Sequence, residues 1–418
     1  MMGLLLIALL LLMLLLRQPV VMLLGFAAAY SYLVWGNGDV TYVVQDIWAA
    51  ADQEVLLSLP LFILAGNIMT RGTIAERLIN VMRIIAGPVP GGLALAAILS
   101  CAFFAAISGS STVTLIAVGS IMYPALLAAG YKQNFALGAL CAAGTLGIIV
   151  PPSIPLILYG VMTETSIADL FKAGVGPALL LTSLMALYSV IVNRRVPRSI
   201  FKMAALLASM KEGIFALFMP FLILGGIYAG WFTATESAAV AVLYAILVEQ
   251  FIHKSLNMDA LKGACIETAV MMGSLFPLLM MALSINTFMT YEQIPHDLVN
   301  WLAANIESRN GFLLLSLIGL LIIGFFMDIG SAILIIAPLL TPLAEAQGID
   351  KVHFGIIMIT NLEMGYLTPP MGLNLIIATT VFKVDFWTVS RAVLPFLALM
   401  LVGITIIAFW PALSLFLV

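Results

Sequence analysis

The chain has 418 residues, of which 63% are hydrophobic and 9% are charged, and its formal net charge at pH 7 is -3. A soluble domain carries about 25% charged residues, so this composition indicates a polytopic membrane protein. It excludes a soluble enzyme, a disordered scaffold and a nucleic-acid-binding protein, because the 17 Lys and Arg residues are too dispersed to form a phosphate-binding patch. The three cysteines and three histidines show no CxxC or HExxH spacing, which gives a zinc or haem site little support.

Apolar stretches of roughly 20 residues predict the membrane spans. The first stretch has no basic residue before Arg17 and no small-residue cleavage site after it, so we interpret it as a retained helix and not as a signal peptide. The segment 37–54 is predicted to be an acidic external loop. In chain order the predicted spans are 2–16, 19–36, 55–70, 133–162, 174–192, 213–230, 236–251, 264–290, 352–381 and 391–416.

Two further apolar stretches, 91–125 and 311–343, are each interrupted in the middle by polar residues. The interruptions are Ser108–Thr112 and Asp328–Ser331. The apolar run 92–107 amounts to about 24 Å of helix, which is short of the hydrocarbon core of about 30 Å. Each stretch therefore predicts a re-entrant helical hairpin with a polar tip near the middle of the membrane.

The basic residues predict the orientation of the chain. With an external N-terminus, only Lys172, Arg309 and Lys351 of the 17 basic residues fall in external segments. Because positive residues concentrate in internal loops, this layout predicts that both termini are external and that each hairpin enters and leaves on one side.

A constant offset of 218 residues relates the two halves of the chain. Each half contains a span, a hairpin, a connection that begins with Gly, and a span broken by Pro-Pro. Hairpin one is predicted to enter from inside and hairpin two from outside, so the repeats are inverted, as in secondary transporters. The corresponding residues are Ser110 and Asp328, Pro124 and Pro342, Gly130 and Gly348, Pro151 and Pro369, and Pro152 and Pro370.

This repeat divides the chain into five predicted parts. The amphipathic segments 70–88 and 291–309 directly precede the two hairpins; each is either an interfacial helix or an arm that lets the hairpins move against a scaffold. The parts are N-terminal scaffold helices (1–54), repeat one (55–162), central scaffold helices (163–263), repeat two (264–381) and a C-terminal scaffold helix (382–418).

Several motifs occur in a fixed order along these repeats. They are GSSTVT at 109–114, GTLGIIVPPSIP at 144–155, TESAA at 235–239 and NLEMGYLTPPMGLN at 361–374. Together they resemble the large membrane subunit of TRAP transporters, the tripartite ATP-independent periplasmic family. The resemblance extends from about Leu56 to Ala378.

The resemblance implies an elevator-type fold like that of the ion transporter superfamily, located in a bacterial inner membrane. It implies sodium-driven uptake of an organic anion, usually a carboxylate, and no enzyme activity or organic cofactor. It also implies two partners: a small four-helix membrane subunit, expected here as a separate chain, and a periplasmic substrate-binding protein.

Sodium prefers oxygen ligands, which hydroxyls and the carbonyls freed at a Pro-Pro break can supply. On this basis we expect sodium site one to comprise Ser108, Ser110, Ser111, Thr145 and Pro151. We expect sodium site two to comprise Asp328, Ser331, Thr368 and Pro369. Ser153, Gly372 and Asn374 are the predicted substrate-binding residues.

Several of these residues also have a structural interpretation. The small residues of the first tip can serve close helix packing, and Asp328 can cap the second limb of its hairpin. Glu236 has the position of an acid at a helix start. Glu363 is equally compatible with a buried hydrogen bond near Asn361 and with ion contact.

Two other functions remain open at this point. A stand-alone sodium- or proton-coupled dicarboxylate carrier could share the inverted hairpin design. An intramembrane enzyme would need a catalytic dyad or a metal cluster on facing spans, which the sequence does not offer. The sequence does not identify the anion or the number of sodium ions.

Overall fold

The structure is a computed structural model of the protein. It describes residues 2–36, 38–196, 198, 201–305, 308–370 and 372–418, and for Leu4 and residues 301–305 it describes the backbone alone. Over these ranges all regular structure is helical, and ten helical stretches are long and apolar enough to cross a membrane, judged by length and composition. The predicted class, an all-α polytopic membrane protein, is therefore confirmed.

The described residues of the two halves form similar series of helices. A 3-10 turn, Glu54–Leu57, precedes α4, and a π-helical turn, Leu247–Ile252, continues α12. The first half contains α1 (Met2–Leu15), α2 (Val20–Val34), α3 (Thr41–Ala51), α4 (Ser58–Arg71), α5 (Ile74–Ala86), α6 (Gly92–Ser108), α7 (Ser111–Ala128), α8 (Gln133–Ile149), α9 (Ile154–Met162) and α10 (Ile167–Val192). The second contains α11 (Met203–Tyr228), α12 (Ala234–Ile246), α13 (Met258–Tyr291), α14 (Ile294–Asn305), α15 (Arg309–Phe326), α16 (Ile329–Ala346), α17 (Lys351–Gly365), α18 (Leu373–Phe382), α19 (Phe386–Phe409) and α20 (Ala412–Leu415).

The prediction that 37–54 forms a loop is wrong, because this segment contains helix α3. Asp39 accepts a hydrogen bond from the Thr41 backbone N–H at 2.9 Å and so stabilises the helix start. Val43 then packs into a cluster with Tyr32 and Phe288. The acidic composition of this segment indicated exposure, whereas the apolar residues at helical spacing decided its structure.

Both polar interruptions form short turns of two residues between consecutive helices. Hairpin one consists of α6 and α7, and hairpin two of α15 and α16. The helices α7, α15 and α16 each have 18 residues, so they are longer than the predicted limbs and, by length alone, could cross a membrane. The depth of the tips therefore depends on what the tips contact, and not on the limb lengths.

Both Pro-Pro pairs interrupt a helix as predicted. The first pair separates α8 from α9 and the second separates α17 from α18, and both Pro-Pro peptide bonds are cis. The predicted amphipathic arms form α5 and α14, although residues 306 and 307 at the end of the second arm lie outside the described residues.

The packing distinguishes two groups of helices. We call α2, α3, α4, α11, α12 and α13 the scaffold group. Polar contacts join its members: Asn67 of α4 donates a hydrogen bond to Thr268 of α13 at 3.0 Å. Tyr32 of α2 and Ser284 of α13 both donate to Asp46 of α3, at 2.7 and 2.9 Å.

We call the two hairpins, the two broken helices and their neighbours α10 and α19 the hairpin group. The rings of Phe135 (α8), Tyr188 (α10) and Phe396 (α19) pack against one another in tilted and edge-to-face arrangements, with centroids 5.1–6.4 Å apart. A Cβ on Gly138 would lie 2.1 Å from the Ala392 carbonyl oxygen, so α8 and α19 touch through their backbones.

The helices of 163–263 and 382–418 are divided between the two groups. The helices α10 and α19 pack with the hairpin group, while α11 and α12 pack with the scaffold group. Hydropathy identifies a spanning helix, but small residues on a neighbouring helix determine which helix packs against it.

Candidate functional site

The tip of hairpin one rests on the first helix break. The turn residue Gly109 has φ 58°, and its carbonyl oxygen accepts a hydrogen bond from the Ile154 N–H at 3.4 Å. A Cβ at Gly109 would lie 2.7 Å from the Pro152 carbonyl oxygen, so only glycine fits here. Inside the tip, the hydroxyls of Ser108 and Thr114 are 2.8 Å apart and hydrogen-bonded. The tip therefore lies at the depth of the break between α8 and α9.

The tip of hairpin two has the same relation to the second broken helix. Its Ile329 N–H donates a hydrogen bond to the hydroxyl of Tyr366, which directly precedes the second break, at 3.2 Å. Asp328 accepts hydrogen bonds from the Ser331 N–H at 2.9 Å and from the Ser331 hydroxyl at 2.5 Å. The interpretation of Asp328 as a helix cap is therefore confirmed, and its contact with sodium stays a prediction.

Both tips line one cavity of about 160 Å³. On one side are 109–112 of tip one, 328–330 of tip two, and the first residues of α9. On the other side are Ile63, Met271 and Leu275 of the scaffold group. The cavity therefore lies at the boundary of the two groups, and the first turns of α7, α9 and α16 all contribute to its wall.

A second cavity, of about 90 Å³, lies on the other side of Asp328. Its lining includes Tyr366, the predicted substrate residue Gly372, and Leu373 and Ile376 of the first turn of α18. Asp328 belongs to both cavities. The N-terminal turns of four helices, α7, α9, α16 and α18, therefore contribute to the walls of the two cavities that share Asp328.

Two site-one candidates that come from α8 and the first break lie away from the tip hydroxyls. The Thr145 hydroxyl donates to the Ala142 carbonyl oxygen at 2.6 Å, and its oxygen lies 4.0 Å from the sulfur of Met400 in α19. Pro151 is buried, with its ring near Gly174 of α10. The structure thus brings Ser108, Ser110 and Ser111 together but turns the Thr145 side chain toward the neighbouring helix.

The remaining candidates are divided between the cavities and local hydrogen bonds. Ser153 is buried and caps α9 by accepting from the Leu156 N–H at 3.4 Å. Thr368 donates to the Met364 carbonyl oxygen at 2.8 Å, one turn earlier, and Pro369 is half-buried at the break. The side chains of these three residues stabilise the local structure of the two helix breaks. An ion could be coordinated only by the backbone carbonyls of these residues.

Asn374 connects the two repeats. Its amide Nδ2 donates a hydrogen bond to the hydroxyl of Ser111, 263 residues earlier in the chain. Both side chains are buried, at 0% and 1% exposure. The first residue of α7 is therefore tied to the second broken helix as well as lying beside the first.

Glu363 is the polar residue whose position the sequence could not interpret. It is fully buried in α17, and neither carboxylate oxygen has a hydrogen-bond partner within the described ranges. The predicted alternative of a hydrogen bond near Asn361 is wrong, because the Asn361 amide donates to the Leu317 carbonyl oxygen at 2.7 Å instead. An acidic residue flanked by apolar neighbours was the available signal.

An all-helical membrane protein with two polar hairpin tips and two broken helices around shared cavities has the architecture of a secondary transporter. Residues 7–413 match the family described as the tripartite ATP-independent periplasmic transporter, DctM component. The chain belongs to this family of TRAP transporter large permeases.

Three relatives illustrate the family. The chain is 39% identical to the C4-dicarboxylate TRAP transporter large permease protein DctM of Pseudomonas aeruginosa, over 94% of this chain and 92% of that protein. It is 36% identical to the isethionate TRAP transporter permease protein DctMQ of Oleidesulfovibrio alaskensis, over 95% of this chain and 63% of that longer protein. It is 32% identical to the ectoine TRAP transporter large permease protein TeaC of Halomonas elongata, over 96% and 95% of the two chains.

Two solved structures share the fold. The YdaH transporter of Alcanivorax borkumensis superposes with a TM-score of 0.68 at 15% identity, over 91% of this chain and 90% of that one. MtrF of Neisseria gonorrhoeae superposes with a TM-score of 0.60 at 12% identity, over 90% and 85%. At these identities the likeness concerns the fold alone.

Proposed function

We propose that this chain is the membrane permease of a three-component system that takes up a small organic anion, driven by sodium. The observation that carries the proposal is the cavity shared by the two hairpin tips. The family membership and the relatives named for C4-dicarboxylate, isethionate and ectoine support a small, strongly polar substrate.

The lining of the cavities is suited to an anion without a fixed positive side chain. The described residues that line the 160 and 90 Å³ cavities include no Lys, Arg or His. They do include the first turns of α7, α9, α16 and α18, whose free N–H groups and helix dipoles favour negative charge. A carboxylate or sulfonate bound here would rely on these N-termini, on tip hydroxyls and on co-bound sodium.

Sodium is the ion we propose as the coupled cargo. Ser108, Ser110 and Ser111 offer hydroxyls at tip one, and Asp328 offers a carboxylate at tip two. Cations bound beside the substrate would lower the cost of holding an anion in this low-dielectric region. Each ligand would then increase the affinity for the other, which is the thermodynamic basis of coupling.

We propose that the hairpin group moves as one body against the scaffold group. Broken helices and hairpin tips share one site, so they must keep their mutual geometry while the site changes sides. The packing of α10 and α19 against α8 adds these two helices to the moving body. The arms α5 and α14 connect the groups and would act as hinges.

The proposed partners follow from the family. A separate small membrane subunit would extend the scaffold, and a substrate-binding protein would deliver the anion from outside. Both termini are proposed to be external and the membrane is proposed to be the bacterial inner membrane. To test the orientation, a cysteine is placed at each terminus of the protein, and intact spheroplasts are treated with a membrane-impermeant maleimide. Labelling of both cysteines is expected if both termini are external.

Reconstitution into proteoliposomes tests the function. Uptake of radiolabelled anion is expected only with the small subunit, a loaded binding protein and an inward sodium gradient. Asp328→Asn is expected to weaken sodium activation by about tenfold or more, because the carboxylate loses its charge, while Asp259→Asn, at an exposed helix start, serves as the control. Full uptake of free anion by this chain alone would instead identify a stand-alone carrier.

A further inference from the structure

Glu363 is unusual even among the buried polar residues of this protein. Its side chain has 0% exposure, it lies two residues before the end of α17, and both of its carboxylate oxygens lack a partner in the part of the chain that the structure describes. An ionised carboxylate without donors in an apolar region costs several kcal/mol. The carboxylate is therefore placed to be neutralised by a proton or by a cation.

Side chains from two other helices approach this carboxylate. The Ser111 hydroxyl, at the start of α7, lies beside the Glu363 carboxylate and can donate a hydrogen bond to it. The same hydroxyl accepts a hydrogen bond from the Asn374 amide of α18. The other polar atom of that amide, Oδ1, is also buried without a partner within the described ranges.

The cluster is thus rich in acceptors and poor in donors. Glu363 contributes two free oxygens, and the Asn374 Oδ1 is a third. The Ser111 hydroxyl can donate to one of these three acceptors and a bound proton would supply one further donor, so one acceptor would still lack a partner. A small hard cation neutralises the charge and can coordinate carboxylate, amide and hydroxyl oxygens together.

We propose that Glu363, Ser111 and Asn374 form a further site for a small monovalent cation, of the sodium class, distinct from the site at Asp328. This inference rests on the proposed sodium-coupled function and adds an ion to it. The site joins tip one to the second broken helix, so an ion bound there would hold the two repeats together across the cavity.

The position suggests what the ion does in the cycle. Ser111 also lines the 160 Å³ cavity, so the proposed site and the anion cavity share one wall. A cation at Glu363 would fix the N-terminal turn of α7, which is one of the turns that we expect to bind the anion. Occupation of this site would therefore organise the anion site before the substrate arrives.

Sodium titration of the purified full-length protein, without substrate, tests the proposal. The readouts are the melting temperature and the binding of radioactive sodium, with choline chloride keeping the ionic strength constant. The wild type is compared with Glu363→Gln, Asn374→Ala and Asp328→Asn. Glu212→Gln, at an exposed position of α11, is the matched control.

We expect Glu363→Gln to lower the apparent sodium affinity by about 10- to 100-fold and to reduce the number of bound sodium ions by one, since even partners outside the ligand sphere change metal affinity by that factor. Asn374→Ala is expected to act in the same direction and covers the case in which Glu363→Gln fails to fold. Glu212→Gln is expected to match the wild type.

Two results would overturn the proposal, and they differ in what else they imply. If Asp328→Asn loses sodium binding while Glu363→Gln and Asn374→Ala keep the wild-type affinity and stoichiometry, Glu363 holds a proton or only supports packing, and the proposed function stands. If the wild-type protein itself binds no sodium, both the further site and the sodium coupling of the proposed function are refuted.

Discussion

Glu249 and Glu363 are both glutamates with 0% exposure, yet their surroundings are opposite. The Glu249 carboxylate accepts hydrogen bonds from the Ile74 backbone N–H at 2.8 Å, from Thr73 and from Ser255, and it lies 3.3 Å from Nδ1 of His253. The Glu363 carboxylate accepts none within the described ranges. Burial alone therefore does not distinguish the two residues, whereas the satisfaction of their oxygens does.

The difference follows from the group that each glutamate binds. Glu249 belongs to the π-helical turn after α12 and caps the first turn of the arm α5 through space, since Thr73, the residue at the cap position, makes no capping bond of its own. Salt bridge Arg71–Glu267, at 2.6 Å, ties the same end of the arm to α13. The Glu249 carboxylate is thus satisfied by groups of the protein itself, and we infer that Glu363 has free acceptor capacity because its partner is an ion that binds and leaves.

The largest expected effect in this comparison is the loss of the Glu249 carboxylate. Glu249→Ala removes the acceptor of several buried donors and is expected to reduce the free energy of unfolding by about 3 kcal/mol or more. The measurement is thermal unfolding of the detergent-purified protein, read by intrinsic fluorescence. A loss below about 1 kcal/mol would mean that the arm is anchored mainly by apolar contacts.

A smaller loss of stability is expected when a substitution displaces the Glu249 carboxylate without removing it. A Cβ on Gly72 would lie 2.2 Å from the Glu249 carboxyl carbon, so Gly72→Ala must displace the carboxylate from its donors. We expect a loss of about 1–3 kcal/mol, which is typical of overpacking.

Gly225→Ala is the control for this substitution. A Cβ there meets nothing within 4 Å, and alanine is the better helix former, so the protein is expected to be unchanged or slightly stabilised. An equal loss in both variants would show that helix conformation, and not the Glu249 contact, accounts for the effect at Gly72.

The third prediction concerns the unsatisfied member of the pair. In sodium-free buffer, Glu363→Gln is expected to change the free energy of unfolding by no more than about 1 kcal/mol, because the glutamine amide has nearly the same shape and can still accept a hydrogen bond from the Ser111 hydroxyl. The same unfolding measurement, with choline in place of sodium, provides the comparison. A loss as large as that of Glu249→Ala would place Glu363 in a structural network and contradict the distinction between the two residues.

The parts of this architecture that could be predicted from the sequence are those that depend on local chemistry. The Pro-Pro pairs that begin at Pro151 and Pro369 interrupt their helices, and the polar residues at the two tips mark the turns of the hairpins. The interpretation of Glu236 as an acid at a helix start is also confirmed: its carboxylate accepts from the Thr233 N–H at 2.8 Å and closes a capping box. Each of these signals lies within a few residues of the feature it determines.

The parts that could not be predicted depend on residues distant in the chain. Ile74, the main donor to Glu249, is 175 residues from it, and Ser111 is 263 residues from Asn374. For the same reason the packing of α10 and α19 against α8 cannot be read from hydropathy. Without a record of which residues vary together, a single sequence specifies how apolar a helix is and leaves its neighbours undetermined.

The smallest expected effect is a pH dependence of the protein's stability that arises from His253, which contacts the Glu249 carboxylate. Burial lowers the pKa of His253 below its ordinary value of 6.5, although Glu249 opposes this shift and Arg77 adds to it. In the unfolded chain His253 therefore binds a proton at a higher pH than in the folded protein. Above pH 6.5 neither state binds this proton, so His253 does not change the stability there. As the pH falls from 6.5 through the lowered pKa of the folded protein, the unfolded chain binds more protons and the stability decreases.

The comparison of wild type with His253→Asn isolates this contribution, because all other titrating groups are common to both proteins. Between pH 7.5 and 5.5 the melting temperature of the wild type is expected to fall more than that of the variant, by no more than about 3 °C. The variant is also expected to start from a lower melting temperature, since the Glu249 carboxylate loses one of the three partners of its Oε2 atom. Parallel slopes in the two proteins would mean that the His253 ring takes up its proton equally easily in the folded and unfolded states, and that the anchor of the arm is not closed to water.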